Sequence, residues 1–133
     1  MGQPAAVQGS QVVAVDTHIV LVPSPGGPVP TPLPHPFSGA LDGGLVGSVT
    51  IGGKPAAVVG STATNAPAHT PTPPGTGFAT PPANRGTVRH GSASVTIAGQ
   101  AAARAGDPVA TCNDPADAPV GQVIAAGTVL VGG

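Results

Sequence analysis

The sequence predicts a small all-β fold in which three β-hairpin units repeat around a pseudo-threefold axis. Two short sequence motifs, called words below, carry this prediction, because self-similarity along a chain is the signature of a repeat architecture. The first word is GSVTIGG (47–53), ASVTIAG (93–99) and GTVLVGG (127–133); the second is PAAVQGS (4–10), PAAVVGS (55–61) and AAARAGD (101–107). Mid-chain they join as SVTIGGKPAAVVGS (48–61) and SVTIAGQAAARAGD (94–107), offset by 46 residues.

Each joined unit has the pattern of a β-hairpin. Val49 and Ile51 alternate with Thr50, which is the period of a half-buried strand, and β-branched residues favour a pleated surface. Gly52 and Gly53 then allow a tight turn with positive φ. Proline at position 55 would interrupt a helix but can begin a strand. The unit is therefore predicted to be strand, turn and strand.

The two ends of the chain hold the two halves of a third unit. Near the N-terminus, PAAVQGS (4–10) is a copy of the second word that has no copy of the first word before it. At the C-terminus, GTVLVGG (127–133) is a copy of the first word that has no copy of the second word after it. Joining 127–133 to 4–10 rebuilds a complete hairpin unit. We therefore expect the termini to meet in space, where the final strand would also cover an edge that otherwise invites aggregation.

The composition indicates one domain over 1–133 that lacks a large aromatic core. Glycine and proline together make up 39 of the 133 residues, Trp and Tyr are absent, and Phe occurs twice. With 7% charged residues and a net charge of −1, the chain has neither the excess of basic residues typical of nucleic-acid-binding proteins nor a run of acidic residues. The single cysteine excludes an internal disulfide. The start of the chain does not have the pattern of a secretory signal.

These words carry a resemblance to a known family. The recurring PAAV and AAAR resemble the Pro-Ala-Ala-Arg repeat, and the chain is identified as a member of the PAAR-repeat family. Only the third copy keeps the final arginine, Arg104; Val7 and Val58 stand in its place elsewhere. The resemblance implies a small conical fold with Pro/Gly-rich loops and a structural zinc ion, Zn²⁺, near the apex.

The candidate ligands follow the second word at regular spacing. His18 lies fourteen residues after Pro4, His69 lies fourteen after Pro55, and Cys112 lies eleven after the matching alanine of the third unit. A pseudo-threefold fold would bring these side chains to one end of the axis. A closed structural zinc site needs a fourth ligand.

For the fourth ligand we expect His35, in the Pro-rich excursion LPHPF, where the flanking prolines would hold it over the axis. The predicted set is thus His18, His35, His69 and Cys112, which matches the family's His/Cys pattern. His90 is the alternative to His35, although its place before a strand indicates a structural position at the other end of the hairpin.

Enzymatic chemistry has weak support in the sequence. Cys112-Asn113-Asp114 could suggest a nucleophile, but no charged activating cluster accompanies it. A closed zinc site leaves no position for a catalytic water. We interpret Asp16, Asp107 and Asp114 as turn or cap residues. The expected protein is not an enzyme.

The resemblance implies a structural tip that caps and sharpens the trimeric spike of a contractile injection apparatus and helps it to pierce the target envelope. The machine would be a type VI secretion system or a phage-tail-like particle, and PHPFSG and TCNDPAD resemble the latter. One monomer with three similar units would match a trimeric β-helical spike, of the VgrG or phage-tail type, at its wide base. Strands with apolar residues would extend the spike or pack on its end, and which of their alternate residues face it stays open; examples of these residues are Val49, Ile51, Val95, Ile97, Val129 and Val131.

Two alternatives stay open: an adaptor that attaches effector cargo to the spike, and a free-standing zinc-binding β-protein. A spike tip would be cytoplasmic during assembly and then leave with the injection particle. With no cleaved signal and no domain after Gly133, we expect any enzymatic cargo to bind noncovalently.

Overall fold

The computed structural model describes residues 2–132, and its regular structure over that range is entirely β, with no helix. No helix that could cross a membrane occurs in this range. The thirteen strands are β1 (Gln3–Pro4), β2 (Gln11–Val22), β3 (Val29–Gly43), β4 (Val46–Ile51), β5 (Lys54–Ala56), β6 (Thr62–Asn65), β7 (Gly77–Phe78), β8 (Arg85–Val88), β9 (Thr96–Ile97), β10 (Gln100–Ala101), β11 (Pro108–Thr111), β12 (Ala118–Ile124) and β13 (Leu130–Val131). The all-β prediction is confirmed.

Three small hairpins correspond to the three repeated units. Strands β4 and β5 pair around Gly52 and Gly53, whose φ angles of 60° and 82° explain the glycines of the first word. Strands β9 and β10 pair in the same way. The third pair is formed by the two ends of the chain, with Gln3 opposite Val131 in antiparallel register. The prediction that the termini meet and complete a third unit is confirmed.

The pseudo-threefold axis is marked by a closed ring of backbone hydrogen bonds. The N–H of Ala6 donates to the carbonyl of Ala103 at 2.9 Å, Ala103 donates to Ala57 at 3.0 Å, and Ala57 donates back to Ala6 at 3.0 Å. Each of the three alanines is only 1% exposed. The second word is rich in alanine because three chain segments meet at this ring and leave space for nothing larger than a methyl group.

The last residue of each second word closes a turn with its side chain. Ser10, Ser61 and Asp107 each accept a hydrogen bond from the backbone N–H three residues earlier, at 3.0, 3.0 and 2.8 Å. Serine and aspartate are suited to this geometry because their short side chains return to the nearby backbone. The interpretation of Asp107 as a turn residue is confirmed.

Below the ring, six strands close into a barrel in the order β12, β11, β8, β6, β3 and β2, with β12 pairing back onto β2. The closing contact is short, since Gln122, Val123 and Ile124 lie opposite Val13, Val12 and Gln11. A closed barrel leaves few free edges. Strand β7 pairs with the far end of β2.

The Pro-rich excursion that contains His35 is part of this barrel. It forms β3, which pairs with the whole of β2, and prolines occupy alternate positions of it. Thr17 of β2, opposite Pro34, directs its N–H away from β3 to Asn113, so the pair is not a hydrogen-bonded one. The prolines therefore lose no bond to β2, and β6 pairs only with the later part, Gly39 to Gly43.

The interior has an apolar part and a polar part. Near the ring the barrel is filled by aliphatic side chains and one aromatic ring; its fully buried members include Val12, Phe37, Leu41, Val88, Val109 and Val123. A smaller cluster lies among the hairpins, with Ala5, Ala102 and Val131 buried and Ile51, Val95 and Ile97 packed against them. Farther along β2 and β3 the buried side chains become polar, which places the candidate site inside the barrel.

Candidate metal centre

The alternation of β2 and β3 directs three polar side chains into the barrel. Asp16 and His18 lie two residues apart on β2 and so face the same side, and His35 of β3 lies directly opposite Asp16. All three are almost fully buried, at 0%, 1% and 1% exposed. Burial of so many ionisable groups is costly without specific partners, which marks this part of the barrel as a functional candidate.

His69 and Cys112 reach the same place from two other segments. Cys112 directly follows β11 and its N–H donates to the carbonyl of Arg85 at 3.2 Å. His69 lies between β6 and β7, where its N–H donates to the side chain of Asn84 at 2.8 Å. Asn84 itself has a positive φ of 55°, which asparagine tolerates better than most residues.

Four side chains offer ligand atoms within 4.8 Å of one another: Asp16, His18, His69 and Cys112. The sulfur of Cys112 lies 3.6 Å from Nε2 of His18 and 3.4 Å from Oδ2 of Asp16. Nε2 of His69 lies 2.8 Å from the same Oδ2. This is a compact set of nitrogen, sulfur and oxygen donors.

The three expected histidines also converge as rings. The ring centroids of His18 and His35 are 5.4 Å apart, those of His18 and His69 are 5.0 Å apart, and those of His35 and His69 are 5.5 Å apart. Three imidazoles bound to one tetrahedral zinc ion at the usual bond length would have centroids about 5.2 Å apart. The triangle therefore has the size that a shared ion requires.

The two strand-borne histidines have different hydrogen bonds. Nδ1 of His35 donates to the carbonyl of Leu33 at 2.9 Å, and its Nε2 accepts the N–H of Thr72 at 3.2 Å. Nδ1 of His18 is buried and has no hydrogen-bond partner among residues 2–132, although Oδ2 of Asp114 lies 3.5 Å from it. Metal-bound histidines usually turn their second nitrogen to a carbonyl or a carboxylate, and Leu33 and Asp114 stand where such partners are expected.

Burial sets the protonation of the site. Desolvation lowers the pKa of His35 and so favours its neutral imidazole, while the hydrogen bond to the Leu33 carbonyl acts in the opposite direction. Desolvation, followed by the charge of Asp16, raises the pKa of Cys112 to about 11. Neutral imidazole is ready to bind a cation, whereas the thiol must release its proton when it does so.

These residues fit a zinc ion. Imidazole nitrogen, thiolate and carboxylate are the ligands that zinc takes in proteins, and the softer sulfur argues against calcium or magnesium. His18, His69 and Cys112 would hold the ion, with His35 and Asp16 as the remaining candidates.

The structure brings together the ligand atoms of His18, His69 and Cys112, places the ring of His35 beside theirs, and does not include the alternative. His90 is exposed, beyond the end of β8. Asp16 was missed: its interpretation as a turn or cap residue is wrong, because it lies in the middle of β2. One signal could have found it, since an aspartate two residues before His18 in a strand must share its face.

Comparison with known proteins agrees with the repeat. No curated protein matches the chain. A family model described as the PAAR motif matches residues 21–110, a range that includes His35 and His69. Proteins with this motif are associated with the spikes of contractile injection systems, such as VgrG. Because the match covers more than half of the sequence and agrees with the all-β fold, the chain belongs to the PAAR family.

Proposed function

We propose that this protein is the structural tip of the spike of a contractile injection apparatus, stabilised by one zinc ion and helping the spike to pierce the target envelope. The observation that carries the proposal is the division of the fold by the ring of Ala6, Ala57 and Ala103. Three hairpins lie on one side of the ring, and the barrel with the metal-ligand cluster lies on the other.

The hairpin side has the chemistry of a docking face for a threefold partner. Apolar side chains near the ring are buried, and those farther from it are exposed to solvent. Val131 is 6% exposed, whereas Val129, two residues earlier, is 45% exposed. Val49, which corresponds to Val129 in the second unit, is 38% exposed. Exposed apolar positions on two of the three hairpins would pack on the blunt end of a trimeric β-helix, in one-to-three stoichiometry.

The barrel side is suited to form the rigid apex of the tip. From Val12 to His18 the strand advances about 20 Å, so the cluster lies well away from the hairpins. A structural zinc ion contributes on the order of 10 kcal/mol of apparent binding free energy to folding. An ion held by His18, His35, His69 and Cys112 would tie β2, β3, β11 and the segment before β7 together. The proposed role is mechanical and not enzymatic.

The proposed route of the protein follows from this role. The tip assembles on the spike in the cytoplasm and leaves the cell with the particle when the apparatus contracts.

The docking face is tested by binding to a trimeric β-helical spike protein of the VgrG type. Native mass spectrometry of the mixture should show one copy of this protein on three spike chains. A variant carrying Val49→Asp and Val129→Asp should weaken the complex at least tenfold, because each change places a charge on the apolar face.

The matched control is Val15→Asp, since Val15 is 62% exposed but lies on the barrel. This variant should bind the spike like the wild type. A wild-type protein that forms no complex with the spike, or equal losses from the hairpin and barrel variants, would contradict the proposal.

A further inference from the structure

Asp16 is the most deeply buried carboxylate of the site and the one that the family pattern leaves without a role. It is 0% exposed. Among the ion pairs formed by residues 2–132, the one that includes Asp16 is with His69, and neither lysine nor arginine pairs with it. A carboxylate removed from water in this way needs a compensating set of donors or a cation.

The two oxygens of Asp16 have separate partners. Oδ1 accepts a hydrogen bond from the hydroxyl of Thr111 at 2.5 Å and a longer one from the amide of Asn113 at 3.4 Å. Oδ2 faces the candidate ligands, with Nε2 of His69 at 2.8 Å and the sulfur of Cys112 at 3.4 Å. One oxygen is therefore anchored by the protein, and the other is presented to the metal centre.

We propose that Asp16 is a positioning residue of the metal centre, whose anchored carboxylate orients His69 for the ion. The inference rests on the proposed zinc centre. It follows a general feature of metal sites, in which a ligating histidine donates its second ring N–H to a carboxylate that fixes its orientation and tautomer. Because Oδ2 accepts from Nε2 of His69, the nitrogen that keeps a free lone pair for the metal is Nδ1.

The experiment compares zinc affinity and cobalt spectra for the full chain and three variants. Asp16→Asn keeps the shape of the side chain and removes its charge. Thr111→Val keeps the carboxylate and removes the anchor of Oδ1. The control is Asp42→Asn, an exposed aspartate whose nearest hydrogen-bond partner is Thr64 at 3.4 Å.

Competition with a chelator should show zinc affinity reduced 10- to 100-fold by Asp16→Asn, by a smaller factor with Thr111→Val, and unchanged with Asp42→Asn. Each protein should still bind one ion. With cobalt in place of zinc, the visible bands and the thiolate charge-transfer band of Asp16→Asn should match the wild type, because a positioning residue contributes no metal bond.

Three results would overturn the inference. Unchanged zinc affinity in Asp16→Asn would show that the carboxylate is not needed. Altered cobalt bands in that variant would make Asp16 a direct ligand. A wild type that binds no zinc would remove the metal centre on which the inference rests, and so would contradict the metal part of the proposed function as well.

If Asp16→Asn fails to fold, the wild type still decides the matter. Long-range nitrogen–proton correlation spectra of the zinc-loaded protein should show His69 protonated at Nε2 and bound through Nδ1. Binding through Nε2 would overturn the inference.

Discussion

The backbone N–H of Thr72 donates a hydrogen bond to Nε2 of His35, with 3.2 Å between the two nitrogens. Nδ1 of the same ring donates to the carbonyl of Leu33, so the lone pair of Nε2 is the one that His35 can offer to a cation. One lone pair cannot serve both an N–H and a metal ion. If His35 is a ligand, zinc must replace Thr72 as the partner of Nε2.

Loading with zinc should therefore make the amide of Thr72 exchange faster with deuterium. The internal control is the amide of Thr76, which donates to the carbonyl of Leu21 at 2.9 Å and does not touch the site. Residue-resolved hydrogen exchange by NMR, with and without zinc, measures both. Equal protection of Thr72 in the two samples, with zinc bound, would show that His35 is not a ligand.

The same bond can be changed by substitution. Thr72→Pro removes the N–H and should speed zinc uptake, whereas Thr72→Val keeps the N–H and removes only the hydroxyl bond to Pro34. Stopped-flow mixing with a zinc indicator measures both rates. Equal acceleration in the two variants would assign the effect to general loosening of the segment.

Substitution of His35 and His90, the predicted fourth ligand and its alternative, tests zinc binding by the predicted set. His35→Gln should weaken zinc binding by at least 100-fold, because a buried ligand is lost, and His90→Gln should bind like the wild type, because His90 is exposed. Native mass spectrometry with metal analysis gives the stoichiometry, and Cys112→Ala serves as a variant that lacks the sulfur ligand. Zinc loss in His90→Gln, with His35→Gln unaffected, would reverse the assignment.

The repeated hairpins could be predicted from sequence because their signals are local. The β-branched run from Val49 to Ile51, the glycine pair after it and the alanines of the second word each determine structure within a few residues. The meeting of the termini followed from the same words, since two half-units at the ends of a chain can complete one unit only if they pair.

The barrel and Asp16 could not be predicted in the same way. The prolines of β3 hide its strand character in the sequence. They are tolerated because β3 pairs with β2 through the residues between the prolines, and this pairing is not visible from the sequence of β3 alone. The closing contact of β12 with β2 joins residues more than 100 positions apart, and no local signal specifies it. The role of Asp16 depends on the phase of β2, because one residue of shift would turn the carboxylate to solvent.

The pKa of Cys112 predicts how stability depends on pH when a chelator keeps the protein free of metal. The folded-state pKa is about 11, against 9.0 for an ordinary thiol, so folding favours the protonated form. This contribution to the free energy of unfolding is complete below pH 9 and is lost as the pH rises towards 11. It amounts to on the order of 2 kcal/mol.

Denaturant unfolding between pH 8 and 11 measures the effect, and Cys112→Ala isolates it because lysine also titrates there. The wild type should lose more stability than the variant across this interval. Parallel curves would show that the thiol is not desolvated as its position requires. Zinc should remove the difference, because it binds the thiolate.

Two neighbouring residues of the last strand test whether that strand completes the fold. Val131 is 6% exposed and packs with Ala5 and Ala102, whereas Leu130 is 59% exposed on the opposite face of β13. Val131→Asp should lower the free energy of unfolding by about 3 kcal/mol, because it buries a charge without a partner. Leu130→Asp should change it by less than about 0.5 kcal/mol. Urea unfolding monitored by circular dichroism compares the two, and equal effects would mean that β13 does not close the hairpin cluster.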